Sequence, residues 1–290
     1  MKLYINGEFL NDHEVKISPF DHGFLYGLGV FETFRIYNGH PFLLFDHLKR
    51  LRKSLLNLNI EWNLLDEEIQ TILNRLIELN GLQDAYIRLN VSAGEGEIGL
   101  YTGQYSNPNT IIFIKPMHES NILEKEGVIL NTPRNSPEGK ERLKSHHYLN
   151  NIIGKKEIGN SPSVEGIFLN NDGFLSEGIV SNLFFINQNQ LYTPHVDTGI
   201  LNGITRQFVI HWAKLKGIAV EEGFYTEQDL LEADEIFISN SIQEIIPVTV
   251  IGERIFNVSE SSVIKDLQKD YRLHRKSLLS MNEMERSEQV

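Results

Sequence analysis

Three stretches of this chain hold residue types able to do chemistry. The first is Arg142-Leu143-Lys144-Ser145-His146-His147-Tyr148-Leu149-Asn150-Asn151, where polar and aromatic groups crowd between a loop and a helix-like run. Desolvation turns a lysine into a competent Schiff-base nucleophile, whereas a solvated lysine at a helix start would carry no chemistry. The second, Leu201-Asn202-Gly203-Ile204-Thr205-Arg206, leads into a helix over 205–216. A glycine there can deliver backbone N–H groups to an anion, with the Thr205 hydroxyl beside them, although a simply capped helix would read the same. The third surrounds Glu177, set among Leu175, Ser176, Gly178 and Ile179. If buried, that carboxylate needs a partner, and a protonated pyridine nitrogen would be one; an exposed turn residue would need none. Arg50, on a helix flank, could grip a phosphate bidentately. Asn240 and Ser241, directly after a strand, could add hydrogen bonds to the same group.

Two other signals carry less. Tyr26-Gly27-Leu28-Gly29-Val30-Phe31-Glu32 is glycine-rich but lacks the full GxGxxG pattern and a P-loop lysine, so no nucleotide site is assigned. His146 and His147 are neighbours, not four apart, so one helix cannot turn both to a single metal. No metal is assigned.

The elements that must position these residues read as α/β with mixed sheets. Asn6-Gly7 between Leu3-Tyr4-Ile5 and Glu8-Phe9-Leu10 predicts a hairpin. Apolar residues from Phe45 through Leu48, Leu51, Leu55 and Leu58 predict one helix, and Ile69 to Ile77 a second, ended by Gly81. Ala85 to Ser92 alternates as a strand with one apolar face, and Thr110 to Lys115 reads as a buried strand. Met117 to Lys125 is polar and reads as a linker, and Pro133 to Glu141 as a loop. Strands are expected at 128–131, 167–170, 183–186, 236–238 and 248–251, and Thr226-x-x-Asp229 as a helix cap. The tail after about Ser259 is charged, helical and then frayed. Two α/β domains are expected, 1–118 and 119–290, with the second carrying Lys144.

Composition narrows the class. Net charge is −12, from 39 acidic against 27 basic residues, which disfavours a polyanionic partner such as nucleic acid. The chain has no cysteine, which excludes disulfides, thiolate metal sites and a cysteine nucleophile. No run of about 18 apolar residues exists, and MKLYINGEFL turns polar too early for a signal peptide. A cytoplasmic protein acting on a small molecule, with no membrane partner, is expected.

Taken in order, Lys144, Tyr148-Leu149-Asn150, Glu177-Gly178, Ser181-Asn182-Leu183-Phe184, Thr193-Pro194, Gly203-Ile204-Thr205-Arg206, Ala233-Asp234-Glu235 and Pro247-Val248 resemble the fold-type-IV pyridoxal 5'-phosphate (PLP) enzymes, the class-IV aminotransferase superfamily. The resemblance spans the chain from Tyr4 to about Val250. It implies a two-domain, D-amino-acid-aminotransferase-like fold and a homodimer. It implies further that Lys144 is the Schiff-base lysine and general acid/base, and that Glu177 keeps the pyridine nitrogen protonated. Arg50, Ile204, Thr205 and Ser241 would bind the phosphate, with Asn240 beside them. Tyr148 would sit near the ring hydroxyl and Asn182 in the ring pocket. Ser18 to Gly27 and Arg142 to Asn151 are most similar to the aminodeoxychorismate lyases of Gram-positive bacteria, which release pyruvate from aminodeoxychorismate to give 4-aminobenzoate for folate synthesis. Branched-chain or D-amino-acid transamination is the alternative, and a non-catalytic PLP-binding protein a further one. One segment departs from the relatives: where many carry RGxGGRG, this chain reads Val91-Ser92-Ala93-Gly94-Glu95-Gly96-Glu97-Ile98-Gly99. Recognition of substrate carboxylates then falls to Arg88 and Arg142, with Thr33 and Tyr26 as further substrate contacts.

Overall fold

An Asn-Gly pair with both residues at positive φ (46° and 100°) folds β1 (Lys2–Ile5) back on β2 (Glu8–Asn11), as that dipeptide predicts. The computed structural model describes residues 1–119 and 121–287, and it divides into two units. The first holds Met1–His118, Leu143–His147 and the residues from Arg275 onward; the second holds Glu119–Arg142 and Tyr148–His274.

In the first unit α1 (His22–Tyr26), β3 (Gly29–Tyr37), β4 (His40–Pro41), α2 (Leu44–Asn57), α3 (Asp66–Asn80), β5 (Ala85–Ser92) and β6 (Asn109–Pro116) follow the opening hairpin. The six strands are antiparallel throughout, in the order β2-β1-β6-β5-β3-β4. Strand β5 alternates buried and half-buried residues along its whole length, as its sequence pattern predicts. One face of the sheet meets the leucine stripe of α2 (Leu44, Leu48, Leu51, Leu55) and Ile69, Leu73 and Leu76 of α3. Each such fully buried side chain contributes roughly 1.5–3 kcal/mol. Gly81 caps α3 at a positive φ of 62°. Strand β6 is less buried than its apolar run suggests. Thr110, Ile112 and Ile114 face the core while Phe113 is 39% exposed, because only one face of this sheet is covered by the helices.

The second unit continues with β7 (Lys125–Ile129), α4 (Leu149–Ile158), β8 (Val164–Leu169), β9 (Leu175–Gly178), β10 (Asn182–Asn187), β11 (Gln190–Pro194), α5 (Ile204–Leu215), β12 (Val220–Gly223), α6 (Glu227–Leu231), β13 (Glu235–Asn240), β14 (Glu244–Ile251), β15 (Arg254–Ile255) and α7 (Val263–His274). Its sheet is mixed, in the order β12-β11-β10-β13-β14-β7-β8-β9 with β15 on β14. The cap read from Thr226 and Asp229 is present as a capping box starting α6. Helix α5 buries Phe208, Val209 and Trp212. The Trp212 indole N–H donates to Asp270 of α7 at 2.9 Å.

Four expectations change. Strand β3 and helix α1 carry no clear period in the sequence, yet β3 is the longest strand of its sheet and lies between β5 and β4. The polar linker is shorter than expected, since Lys125 already opens β7; Ser120 lies outside the described residues. Leu143–His147, and Lys144 with it, belong to the first unit, where the Lys144 and Gly29 carbonyls accept from Phe31 and His146 N–H at 2.9 and 3.1 Å. The tail does not fray after His274. Leu278, Met281 and Met284 are buried, and Asp46 accepts the Met281 N–H at 2.8 Å; residues 288–290 lie outside the described residues. Among the described residues no helix is long and apolar enough to cross a membrane.

Candidate active site

In the first unit, alternation along β3 sends Val30, Glu32, Phe34 and Ile36 to the helix-covered face. Glu32 is thus a carboxylate inside the core, 1% exposed. It survives there because α2 supplies two donors one turn apart. Arg50 donates Nε to Oε1 at 2.7 Å and Nη2 to Oε2 at 2.6 Å, and His47 Nδ1 lies 2.7 Å from Oε2. Burial pushes the Glu32 carboxyl up, but the Arg50 charge and the donors from Arg50 and His47 outweigh it and bring it down to about 2. Burial pushes His47 below its usual value despite Glu32, so a neutral imidazole donates to an ionised carboxylate.

On the opposite face of β3, the Phe31 ring carries the Arg88 guanidinium carbon 3.6 Å from its centroid and Lys144 Nζ at 4.8 Å. Arg88 donates Nε to Asn90 at 2.9 Å and pairs in register with Thr33. Lys144 is set in place by its backbone, through the pairing with Phe31 and an antiparallel bridge from Ser145 to Val30. The glycines of the 26–32 stretch have their explanation here. A Cβ on Gly29 would lie 2.5 Å from His146 Cε1, and one on Gly27 2.5 Å from His147 Cδ2. They make room for the two residues that follow Ser145, not for a nucleotide. Burial, with the Arg88 charge second, brings His146 down to about 4. The Tyr26 hydroxyl accepts the Gly99 N–H at 2.8 Å.

In the second unit every residue of β9 is buried, Glu177 among them at 5% exposure. Its partner is Arg134, which donates Nε at 2.9 Å and approaches with Nη2 at 2.7 Å, while the Leu201 N–H donates to the second oxygen at 2.9 Å. Arg134 was not singled out in the sequence, where it stands in a Pro-rich loop with no local pattern to mark it. Arg142, expected to meet substrate, is turned elsewhere. It donates Nε to the Gly199 carbonyl at 2.5 Å and Nη2 to that of Asn135, and burial, with Arg134 nearby, brings its pKa down to about 10. The Arg142 guanidinium thus ties the Gly199 and Asn135 carbonyls together.

The same unit holds a cradle of donors. Helix α5 starts at Gly203 without a side-chain cap bond, and Ile204 and Thr205 open its first turn. Thr205 Oγ1 lies 3.1 Å from Ser241 Oγ. Asn240 shapes the turn that presents Ser241, its side-chain oxygen accepting N–H groups of Ile242 and Gln243 at 2.9 and 2.7 Å. Asn182 donates to the Leu201 carbonyl at 2.8 Å, and a Cβ on Gly203 would come within 2.1 Å of its Oδ1. Tyr148 precedes α4 and lines a cavity of about 390 Å³ with Asn151, Lys125 and Gln243. A helix N-terminus with two hydroxyls suits a phosphate. A buried carboxylate suits a protonated ring nitrogen, and a lysine amine on an aromatic face suits an aldehyde. The residues present fit pyridoxal phosphate.

Two outcomes follow from the buried carboxylates. Arg134→Met should cost ~3–5 kcal/mol by removing the nearer guanidinium from buried Glu177, with Arg142 Nε left at 3.8 Å, and adding Glu177→Gln should restore much of it; chemical denaturation of both variants measures this. A single variant as stable as the parent would mean the pair contributes nothing to stability. Glu32 has a folded-state value below its ordinary 4.5, so its stabilisation is complete above about pH 4.5 and is lost as the pH falls towards about 2. Denaturation midpoints from pH 5 down to 2 should therefore fall less steeply for Glu32→Gln than for the parent. Parallel slopes would contradict the ion pair.

Comparison with known proteins places this geometry. The model of the family described as amino-transferase class IV matches residues 29–251. The chain is 46% identical over 280 residues to an aminodeoxychorismate lyase of Bacillus subtilis, covering 96% of each. It is 37% identical over 277 residues to a putative branched-chain-amino-acid aminotransferase of Methanocaldococcus jannaschii, covering 94% of this chain and 96% of that one. Its structure resembles the branched-chain aminotransferase of Thermoproteus uzoniensis with a TM-score of 0.86 at 27% identity, over 96% of each chain. The chain belongs to the class-IV aminotransferase family, whose members depend on pyridoxal phosphate.

Proposed function

We propose that this protein is a 4-amino-4-deoxychorismate lyase, which eliminates pyruvate from its substrate to form 4-aminobenzoate for folate synthesis. The observation that carries the reading is the 46% identity to a lyase, sustained over 96% of both chains. The Lys144 amine over Phe31, with Arg88 on the same ring, supports it. Lys144 would carry the cofactor. Arg50, Ile204, Thr205 and Ser241 would take its phosphate, Glu177 would meet the ring nitrogen, Tyr148 the ring hydroxyl, and Asn182 would stand in the ring pocket. When bound, pyridoxal phosphate supplies a ring that draws off electrons from the carbon bearing the substrate amine.

The side chains then have separate tasks. Lys144 Nζ removes the proton from substrate C4 as a general base. Glu177, braced by Arg134 and the Leu201 N–H, would hold a proton on the ring nitrogen. Arg88, set flat on Phe31 and tied to Asn90, receives a substrate carboxylate, with Thr33 and Tyr26 as further substrate contacts. The bond from the neighbouring ring carbon to the enolpyruvyl oxygen breaks, the departing enolpyruvate takes up a proton at its methylene carbon to become pyruvate, the ring becomes aromatic, and no second substrate is consumed.

We further propose a cytoplasmic homodimer. Phe24 and Leu100 are 67% and 91% exposed, with Ile98 and Tyr101 beside Leu100, and the 20–26 and 96–99 segments are tied together by the Gly96 N–H to Phe20 and the Gly99 N–H to Tyr26. An apolar patch of this kind supports a protein partner.

Incubating the PLP-loaded protein with aminodeoxychorismate, with no 2-oxo acid added, should yield 4-aminobenzoate and pyruvate in equal amounts. Lys144→Ala should stay folded but lose both the visible absorbance of the bound cofactor and nearly all turnover. If neither product forms while amino acids react with 2-oxoglutarate, the protein is an aminotransferase. Sedimentation equilibrium should report two copies for the parent and one for Leu100→Glu; a monomeric parent would rule out the dimer.

A further inference from the structure

Glu32 stands out as the carboxylate on the helix-covered face of β3, between Val30 and Phe34. An apolar residue there would pack against α2 without desolvating a charge, so the carboxylate calls for a reason beyond filling space. Its geometry supplies one. β3 is hydrogen-bonded to β5 from Gly29 to Ile36, so the Glu32 Cα has little freedom. His47 then fixes one carboxylate oxygen at 2.7 Å. Arg50 meets both oxygens from two nitrogens, at 2.7 and 2.6 Å, the fork-on-fork arrangement that sets the plane of a guanidinium as well as its distance.

We propose that Glu32 is a positioning residue that aims Arg50 at the phosphate of the cofactor. The proposal rests on the reading that Arg50 binds that phosphate. A guanidinium carries five N–H donors in one plane, and Glu32 engages two of them along one edge. The plane of the guanidinium is thereby fixed relative to β3. An arginine left to itself samples many rotamers of a long side chain, and the ordering would have to come out of cofactor affinity. Glu32 does that ordering in advance, with His47 holding Glu32 in turn.

Two simpler roles make different forecasts. If Glu32 only ties α2 to β3, its loss weakens binding of any form of the cofactor alike. If only charge matters, removing an anion beside Arg50 tightens phosphate binding. Aim predicts a fall in affinity confined to the phosphate. The test titrates the full-length chain, stripped of cofactor, with pyridoxal phosphate and with pyridoxal, and takes the ratio of the two dissociation constants as the phosphate preference. In Glu32→Gln an amide N–H faces the Arg50 donors, and the preference should drop by about tenfold or more while pyridoxal affinity stays within about threefold. Should that variant fold poorly, Glu32→Asp keeps the charge, moves the fork by one methylene, and should still lose part of the preference. Arg50→Ala separates the two layers. If it loses the preference and both Glu32 variants keep it, the positioning role is wrong and the phosphate role of Arg50 stands. If Arg50→Ala itself keeps the preference, the reading of Arg50 fails and the proposal with it.

Discussion

An ionised carboxylate cannot rest in an apolar interior without cations and N–H groups brought to it by the surrounding fold. Both units of this protein are built around that demand. Glu32 lies on the covered face of β3 and is met by His47 and Arg50 from the first turns of α2. Glu177 lies in the fully buried β9 and is met by Arg134 and by the Leu201 N–H. In each case the cation comes from a different element, so the pairing holds the elements in register as well as the charge. Arg134 extends the chain further, donating Nη1 to Asn150 at 2.7 Å and lying over Phe168.

The second organising feature is backbone, not charge. Strand β4 is two residues long and, among the described residues, pairs with Ile36 and Tyr37 of β3. The N-terminal half of β3 takes its hydrogen bonds on that side from Leu143–His147, a piece of chain from far along the sequence. Lys144 is delivered to Phe31 and Arg88 by this pairing. Its position thus depends on main-chain groups, which no side-chain substitution at 144 removes.

Much of the framework is written in local pattern. The stripe of α2, the alternation of β5 and the caps at Gly81 and Thr226 depend on neighbours within a few residues, so sequence spacing reveals them. Strand β3 escapes because its glycines and its buried Glu32 answer to residues elsewhere: His146, His147, His47 and Arg50. A single boundary near residue 120 fails for a related reason, since a five-residue segment returns to the first unit and no composition shift announces it. In the candidate site, Lys144, Glu177 and Arg50 each fit an ordinary structural residue when taken alone, and only their order within the family resemblance marks them. Their supports, Arg134 at 43 residues from Glu177 and Glu32 at 18 from Arg50, are long-range pairs that spacing does not encode. The same limit applies to Arg142, whose adjacency in sequence to Lys144 says nothing about the carbonyls its guanidinium meets.

An open strand edge is a template for pairing with another chain, and proteins cover such edges to remain soluble. Here the cover over the N-terminal half of β3 is the segment that bears Lys144. On the role proposed for Lys144, the chain ties its colloidal behaviour to its chemistry: a change that loosens residues 143–147 uncovers an edge and displaces Lys144 together, so self-association and lost turnover arrive as one defect.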